Sequence, residues 1–159
     1  MKRPEDLSCE IHRYTIREQK WIIFVGLLAD KMESTENKAV YKVFEVFAGD
    51  FAINDDDSVN IPEKITKCTI VKKKIKNKSR YDLIYKDKDG YNVTITGIGR
   101  IFDVSYFNYV INVSFLLRYA PLDKVIHVIK KWKELDVKTE QLQQALISTF
   151  EKYLPCQNT

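Results

Sequence analysis

Residues 21–28 read WIIFVGLL, a segment without a polar side chain at any position. A half-exposed strand alternates apolar and polar residues, whereas a strand buried on both faces is apolar throughout. The segment is too short to cross a membrane, because the longest apolar run, residues 21–29, has less than half of the roughly 20 residues that a spanning helix needs. These residues therefore predict a central strand that is covered on both sides.

Three further segments have the composition of strands. Residues 11–18 alternate in polarity, and residues 65–74 are rich in β-branched side chains. Residues 39–48 are also predicted as a strand, although their apolar residues have helical spacing as well, so a helix is the alternative there.

A hairpin and a longer strand are predicted after these segments. Residues 81–85 and 91–98 flank Asp89-Gly90, a dipeptide suited to the positive φ angles of a hairpin turn. Residues 106–118 place Phe107 and every second residue after it on one face, with mostly polar residues on the other. This alternation predicts the longest strand of the chain.

The periodicity becomes helical in the last 40 residues or so. A first helix is predicted to begin at Pro121, because proline is favoured at the first helical position, and a second from about 139 to 154, ended by Pro155. Strands followed by helices predict an α+β fold, an antiparallel β-sheet with two C-terminal helices.

The length and composition fit one globular domain over residues 1–159. We expect flexible ends at residues 1–10 and 155–159. The low Gly and Pro content, 5 and 4 residues, excludes disordered and fibrous classes.

The positive charge of the chain is concentrated in one segment. The 26 Lys and Arg residues exceed the 22 Asp and Glu residues, for a formal charge of +4. Residues 64–80 carry +8 without a single acid, so the rest of the chain sums to −4. If the predicted strand continues, alternate cations share one face at a spacing of about 6.6 Å, close to the roughly 6–7 Å between phosphates. This predicts a binding row for an anionic partner, formed by Lys72, Lys74, Lys76, Lys78 and Arg80.

Two alternatives to a nucleic-acid partner stay open for these charges. Lysines also protect the edge strands of sheets, which needs no partner, and an anionic membrane surface attracts the same cations as nucleic acid does. A second patch is predicted at Lys130, Lys131 and Lys133, although lysines at the C-terminal end of a helix also stabilise the helix itself.

The sequence contains no catalytic or cofactor-binding motif, so we expect a protein that is not an enzyme and that binds neither a cofactor nor a metal. The three cysteines are odd in number and widely spaced, which argues against a disulfide framework or a zinc site. Residues 1–6 mix basic and acidic side chains and no apolar segment follows them, so we expect no signal peptide and an intracellular location.

Several aromatic-rich segments follow one another in a defined order. Residues 13–17 (RYTIR) run into residues 21–25 (WIIFV) and precede residues 41–49 (YKVFEVFAG), and a helix with Ala120-Pro121 and Trp132 follows the last predicted strand. This order is similar to the core of rhabdovirus matrix proteins, and the sequence resembles their short, plant-infecting type. The Lys-rich arm and the Pro-Pro-x-Tyr budding motif of animal-infecting members are missing.

This resemblance implies a viral, non-enzymatic protein of virion assembly. Such a protein self-associates, binds and condenses the nucleocapsid ribonucleoprotein or RNA, and contacts the inner membrane surface, in the host cytoplasm or the virion. The alternative is a small stand-alone RNA-binding protein, such as a viral silencing suppressor.

Overall fold

The computed structural model describes residues 2–35, 38–50, 61–135 and 139–155. The strands within these residues are β1 (Asp6–Ile16), β2 (Gln19–Thr35), β3 (Lys38–Asp50), β4 (Lys67–Ile75), β5 (Lys78–Lys86) and β6 (Asn92–Ile95). They form one antiparallel sheet in the order β3-β2-β1-β4-β5-β6. The strand predicted for residues 39–48 is confirmed.

Helices follow the sheet in the chain, as the α+β prediction requires. They are α1 (Ile98–Ile101), α2 (Val104–Tyr119), α3 (Leu122–Leu135) and α4 (Glu140–Glu151). The antiparallel sheet and the two C-terminal helices, α3 and α4, are confirmed. β1 begins inside the segment 1–10, which was expected to be a flexible end, and residues 156–159 lie outside the described part of the chain.

β2 is buried on both faces, as its sequence predicts. Residues 21–27 are all buried. Because side chains alternate along a strand, Ile22 and Phe24 lie on one face, and Trp21, Ile23 and Val25 lie on the other. Burying both faces requires apolar material on each side of the sheet.

One of these faces is concave, because the sheet curls strongly. Phe47 of β3 and Tyr81 of β5 approach with ring centroids 4.9 Å apart. Three strands separate β3 from β5 in the sheet, a distance of about 19 Å in a flat sheet. The curl therefore brings the two strands together and makes an incomplete barrel.

α1 and the residue after it fill part of this concave side. Ile98 is buried, and the Phe102 ring lies 6.3 Å from the Phe24 ring. A Cβ atom on Gly49 would come within 2.0 Å of the Phe102 ring, so the ring rests directly on the β3 backbone. Only glycine permits that approach.

α2 and α4 lie against the other face and the β3 edge. The Trp21 indole N–H donates to Gln141 of α4 at 3.0 Å. The Thr149 hydroxyl of α4 donates to the Ala145 carbonyl, so it accepts from the Tyr14 hydroxyl at 3.1 Å. The Ser114 hydroxyl of α2 bonds both the N–H and the carbonyl of Val46, at 3.1 and 3.2 Å. These bonds satisfy backbone groups that the edge strand would otherwise leave unpaired.

The strand predicted for residues 106–118 is wrong, since this segment is helix α2. Its buried side chains have helical spacing: Val110, Val113, Ser114 and Leu117. Apolar residues at most positions satisfy a period of 2 and a period of 3.6 alike. The decisive local signal is Asp103, which caps the helix by accepting from the Ser105 N–H at 2.8 Å.

The turn between β1 and β2 consists of two non-glycine residues in the left-handed region. Arg17 has φ 49° and Glu18 has φ 70°, and the flanking residues Ile16 and Gln19 are directly paired. This is the geometry of a two-residue hairpin turn, for which Asn-Gly is the favoured sequence. Arg17 and Glu18 therefore hold strained backbone conformations.

Replacing Glu18 with Gly relieves this strain. We expect the free energy of unfolding to rise by about 1 kcal/mol, as measured by urea denaturation. The control is Lys20→Gly in the adjoining strand, which lowers stability because glycine weakens a strand interior. A Glu18→Gly variant no more stable than the natural protein would contradict this assignment of strain.

Candidate functional site: a basic hairpin tip

The cations of residues 72–80 lie on a β-hairpin rather than in one straight row. Lys76 and Asn77 form a two-residue turn, with φ 51° and 65°, and Ile75 pairs with Lys78 across it. We call residues 72–80 the basic tip. The chain reverses inside the basic run, so the run is shared between β4 and β5.

The expectation that five cations share one face is therefore wrong. Lys72 pairs with Tyr81, and Lys73 pairs with Arg80. Because directly paired residues lie on the same face, Lys72 and Lys74 lie on one side, while Lys78 and Arg80 lie on the other. The tip displays cations on both faces and at the turn.

The tip extends beyond the rest of the sheet. β1 pairs with β4 only up to Val71, and β6 pairs with β5 only from Leu83. The tip is thus a two-stranded ribbon. The side chains at its end are exposed, including Ile75 at 43%, and the exposed cations are Lys73, Lys74, Lys76 and Lys78.

Arg80 has a structural partner within the domain. Its guanidinium donates two hydrogen bonds to Asp82, at 2.9 and 2.8 Å. Asp82 is only 1% exposed; it also accepts from the Gly97 N–H at 2.9 Å and lies 3.8 Å from Lys73. Burial alone would raise the pKa of Asp82, but the Arg80 and Gly97 hydrogen bonds and the two cations hold it below its ordinary value.

Lys72 contributes to the base of the tip. Its ammonium lies 5.8 Å from the centre of the Tyr81 ring, and the Arg3 guanidinium lies 5.6 Å from the same ring. Arg3 also forms a buried two-bond ion pair with Glu45, at 2.8 and 3.0 Å. The N-terminal segment therefore ties β3 to the root of the hairpin.

The predicted second patch lies on a different element, helix α3. Lys130 makes a salt bridge of 3.9 Å with Glu151, and both side chains are largely exposed. Lys130 and Lys133 line a cleft of about 520 Å³ between α3 and α4, beside Glu134. Glu134 and Glu151 lie beside these lysines, whereas Lys74, Lys76 and Lys78 at the end of the basic tip form no salt bridge among the described residues.

A hydrogen-bonded chain that the sequence did not reveal joins α4 to β1. The Tyr153 hydroxyl donates to Glu10 at 2.7 Å and lies 2.6 Å from Nε2 of His12. Since the hydroxyl proton goes to Glu10, Nε2 of His12 is the donor to Tyr153. Burial and the positive charge of Lys152 lower the pKa of His12, and together they outweigh the negative charge of Glu10, which would raise it. Glu10 and Tyr153 are 143 residues apart in sequence, so no local pattern predicts their contact.

The remaining candidate groups do not gather into a site. Cys9 of β1 lies directly opposite Cys68 of β4, and both are free thiols. Burial raises the pKa of Cys9. Among the described residues, no cluster of three or more His, Cys, Asp or Glu could hold a metal ion. Within the same residues, no helix is both long and apolar enough to cross a membrane.

The fold and the tip together define an α+β domain with a protruding basic hairpin. Residues 7–155 match the family model described as the NrdJ homologue C-terminal domain, and the chain belongs to this family. No curated protein and no solved structure matches the chain. The resemblance to rhabdovirus matrix proteins stays a prediction.

Replacing Asp82 with Asn tests how the root of the tip is held. We expect the free energy of unfolding to fall by about 2 kcal/mol at pH 7, because charged hydrogen bonds to Arg80 and Gly97 are weakened. The pKa of Asp82 is lower in the folded state. Its contribution is therefore complete above the unfolded pKa of about 3.9 and is lost as the pH falls through the lower folded value.

The measurement is urea denaturation between pH 7 and pH 2. The difference between the natural protein and the Asp82→Asn variant should shrink across the acid range. The exposed Asp6→Asn is the matched control and should change stability little at any pH. An equal effect of the two substitutions would contradict the proposed ion-pair contribution.

Proposed function

We propose that this domain is a non-enzymatic binding module that holds the phosphate backbone of a single-stranded nucleic acid with its basic tip. The observation that carries the proposal is the state of Lys74, Lys76 and Lys78. They are exposed, and none of them forms a salt bridge with a carboxylate of the described residues. Cations held close together without acids repel one another, and an anionic partner relieves that repulsion.

The ribbon shape supports a backbone contact. Lys74 and Lys78 lie on opposite faces of the ribbon and Lys76 lies at its turn, so the three cations can meet a strand that bends around the tip. Lysine is a flexible point charge, so it binds phosphates without reading bases. The module would therefore bind single strands with little sequence preference.

Arg80 and Lys72 have a different role in this proposal. Arg80 is engaged with Asp82, and Lys72 lies over Tyr81. They stiffen the root of the hairpin, so the end of the tip projects as a fixed unit. Since the family is described as a C-terminal domain of NrdJ homologues, we propose that this module is the nucleic-acid-holding part of such proteins.

Two other roles for the basic tip, a matrix-like role and simple protection of the sheet edge, predict different binding and sedimentation results. A matrix-like assembly protein would also bind anionic membranes and would polymerise with concentration, which sedimentation at low and moderate salt measures. Lysines that only protect the open edges of the ribbon would give no binding at all.

The test compares two triple variants with the same change in charge. Lys74, Lys76 and Lys78 are replaced by Glu in the first, and Lys130, Lys131 and Lys133 in the second. We expect the tip variant to bind a fluorescent single-stranded oligonucleotide at least about 100-fold more weakly than the natural protein. The α3 variant should lose much less, because it keeps the tip.

The salt dependence provides an independent readout. For the natural protein, log affinity should fall with log salt at about 0.7 per neutralised phosphate, and the slope should drop in the tip variant. Equal affinity of the tip variant and the natural protein would refute the proposal. Binding to vesicles of anionic lipid without binding to the oligonucleotide would assign the tip to a membrane surface instead.

A further inference from the structure

The outward face of α2 is unusual for a surface of this chain. We call Val104, Asn108, Asn112, Phe115 and Tyr119 the α2 stripe, and all five are exposed. Its apolar members are strongly exposed, at 69% for Val104, 52% for Phe115 and 82% for Tyr119. Three of the large apolar side chains that the domain presents to solvent therefore lie along one helix.

The stripe is a continuous surface on the side of α2 that points away from the core. At about 100° per residue its five members fall within roughly a quarter of the helix circumference. The buried side chains of α2, among them Val113 and Leu117, lie on the opposite side. A solvated helix face normally carries charged residues, and here it does not.

The absence of charge is pronounced. Charged residues make up 30% of the chain, yet residues 104–117 contain none. The Arg118 guanidinium, which begins the next turn, is turned onto aromatic rings, 5.0 Å from the centre of Phe44 and 5.4 Å from that of Phe115.

This neutrality selects the kind of occupant. A nucleic acid or a lipid headgroup needs cations, which the stripe lacks, so its partner is a protein surface that is apolar and uncharged. The basic tip and the lysines of α3 would repel a second copy of the chain. The α2 stripe is a surface that can meet its own copy without a clash of like charges.

The spacing of the stripe also suits a copy of itself. In an antiparallel pair of helices related by a two-fold axis, the numbers of any two residues that face each other add to the same value. A centre between Ile111 and Asn112 places Val104 opposite Tyr119 and Asn108 opposite Phe115 of the partner. Each exposed apolar end is then covered, and Asn112 lies near the axis, where its amide can both donate and accept.

We propose that the α2 stripe is a homodimer interface in which two α2 helices pack antiparallel around a two-fold axis. The dimer does not depend on the basic tip and does not rest on the proposed nucleic-acid binding. Two tips per assembly follow from it, and a linked pair of sites binds a long polyanion more tightly than one site.

The test uses charge at the two ends of the stripe. One variant carries Val104→Lys with Tyr119→Lys, and another carries Val104→Glu with Tyr119→Glu. These side chains are exposed, so both variants should keep the natural circular dichroism spectrum. In sedimentation equilibrium without nucleic acid, each variant alone should have a dimer dissociation constant at least about 100-fold above that of the natural protein.

Mixing the two variants should restore a dimer, because Lys of one copy then faces Glu of the other. The matched control is Tyr91→Lys with Thr94→Lys, which adds the same charge at exposed positions of the β5–β6 region and should leave the dimer intact. The tip variant should dimerise as well. A natural protein that is monomeric at every concentration, a dimer that persists in the Lys variant, or a mixture that stays monomeric would each overturn the proposal.

Discussion

The contact of Phe47 with Tyr81 closes the concave side of the curled sheet, and most of the remaining structure depends on that closure. Strands that are four positions apart in the sheet come together at 4.9 Å between ring centroids. The curl creates a concave side that Ile98, Phe102 and Phe107 of α2 fill, and it leaves the opposite side convex for α4. Buried charges reinforce it, since Arg3 and Glu45 pair inside the closed region, where an unpaired charge would be very costly.

The same closure explains where the basic tip points. Tyr81 is the residue at which the hairpin leaves the sheet, and Phe47, Arg3 and Lys72 all lie against its ring. One residue further, Asp82 fixes Arg80 and the Gly97 backbone. The hairpin is therefore rigid at its root and solvated at its end. This arrangement suits a protruding cationic hairpin, because the backbone that carries the cations is fixed at its root while the lysine side chains can change conformation.

Local patterns predicted the sheet well, because strand signals are short-range. Residues 21–28 are apolar at every position, and Asp89-Gly90 marks a turn; both predictions are confirmed. α2 was predicted wrongly because apolar residues at most positions fit two periods. The prediction of a single row of cations was wrong because the chain reverses at Lys76-Asn77. Both residues have left-handed backbone conformations, and the sequence has no glycine there that would indicate a turn.

Other features required tertiary information that a sequence pattern does not contain. The partner of Glu45 is Arg3, 42 residues away, and the only local hint was a carboxylate in an apolar strand. The open side of α2 was likewise hidden, since residues 104–117 contain no charged side chain that would mark the solvent-facing side of a helix. The basic segment itself was visible from charge counting alone, although its shape was not.

The hydrogen bonds of Tyr153 with Glu10 and His12 have a consequence for the order of folding. They join the first strand to the end of the last helix, across 143 residues. Loop closure over such a span costs entropy that only the assembled core repays. During synthesis β1 can pair with β2 early, but its outer face stays uncovered until α4 has emerged. A chain that lacks α4 therefore leaves the Tyr14 hydroxyl and the Trp21 indole N–H without their partners on that helix, and completion of the chain supplies them.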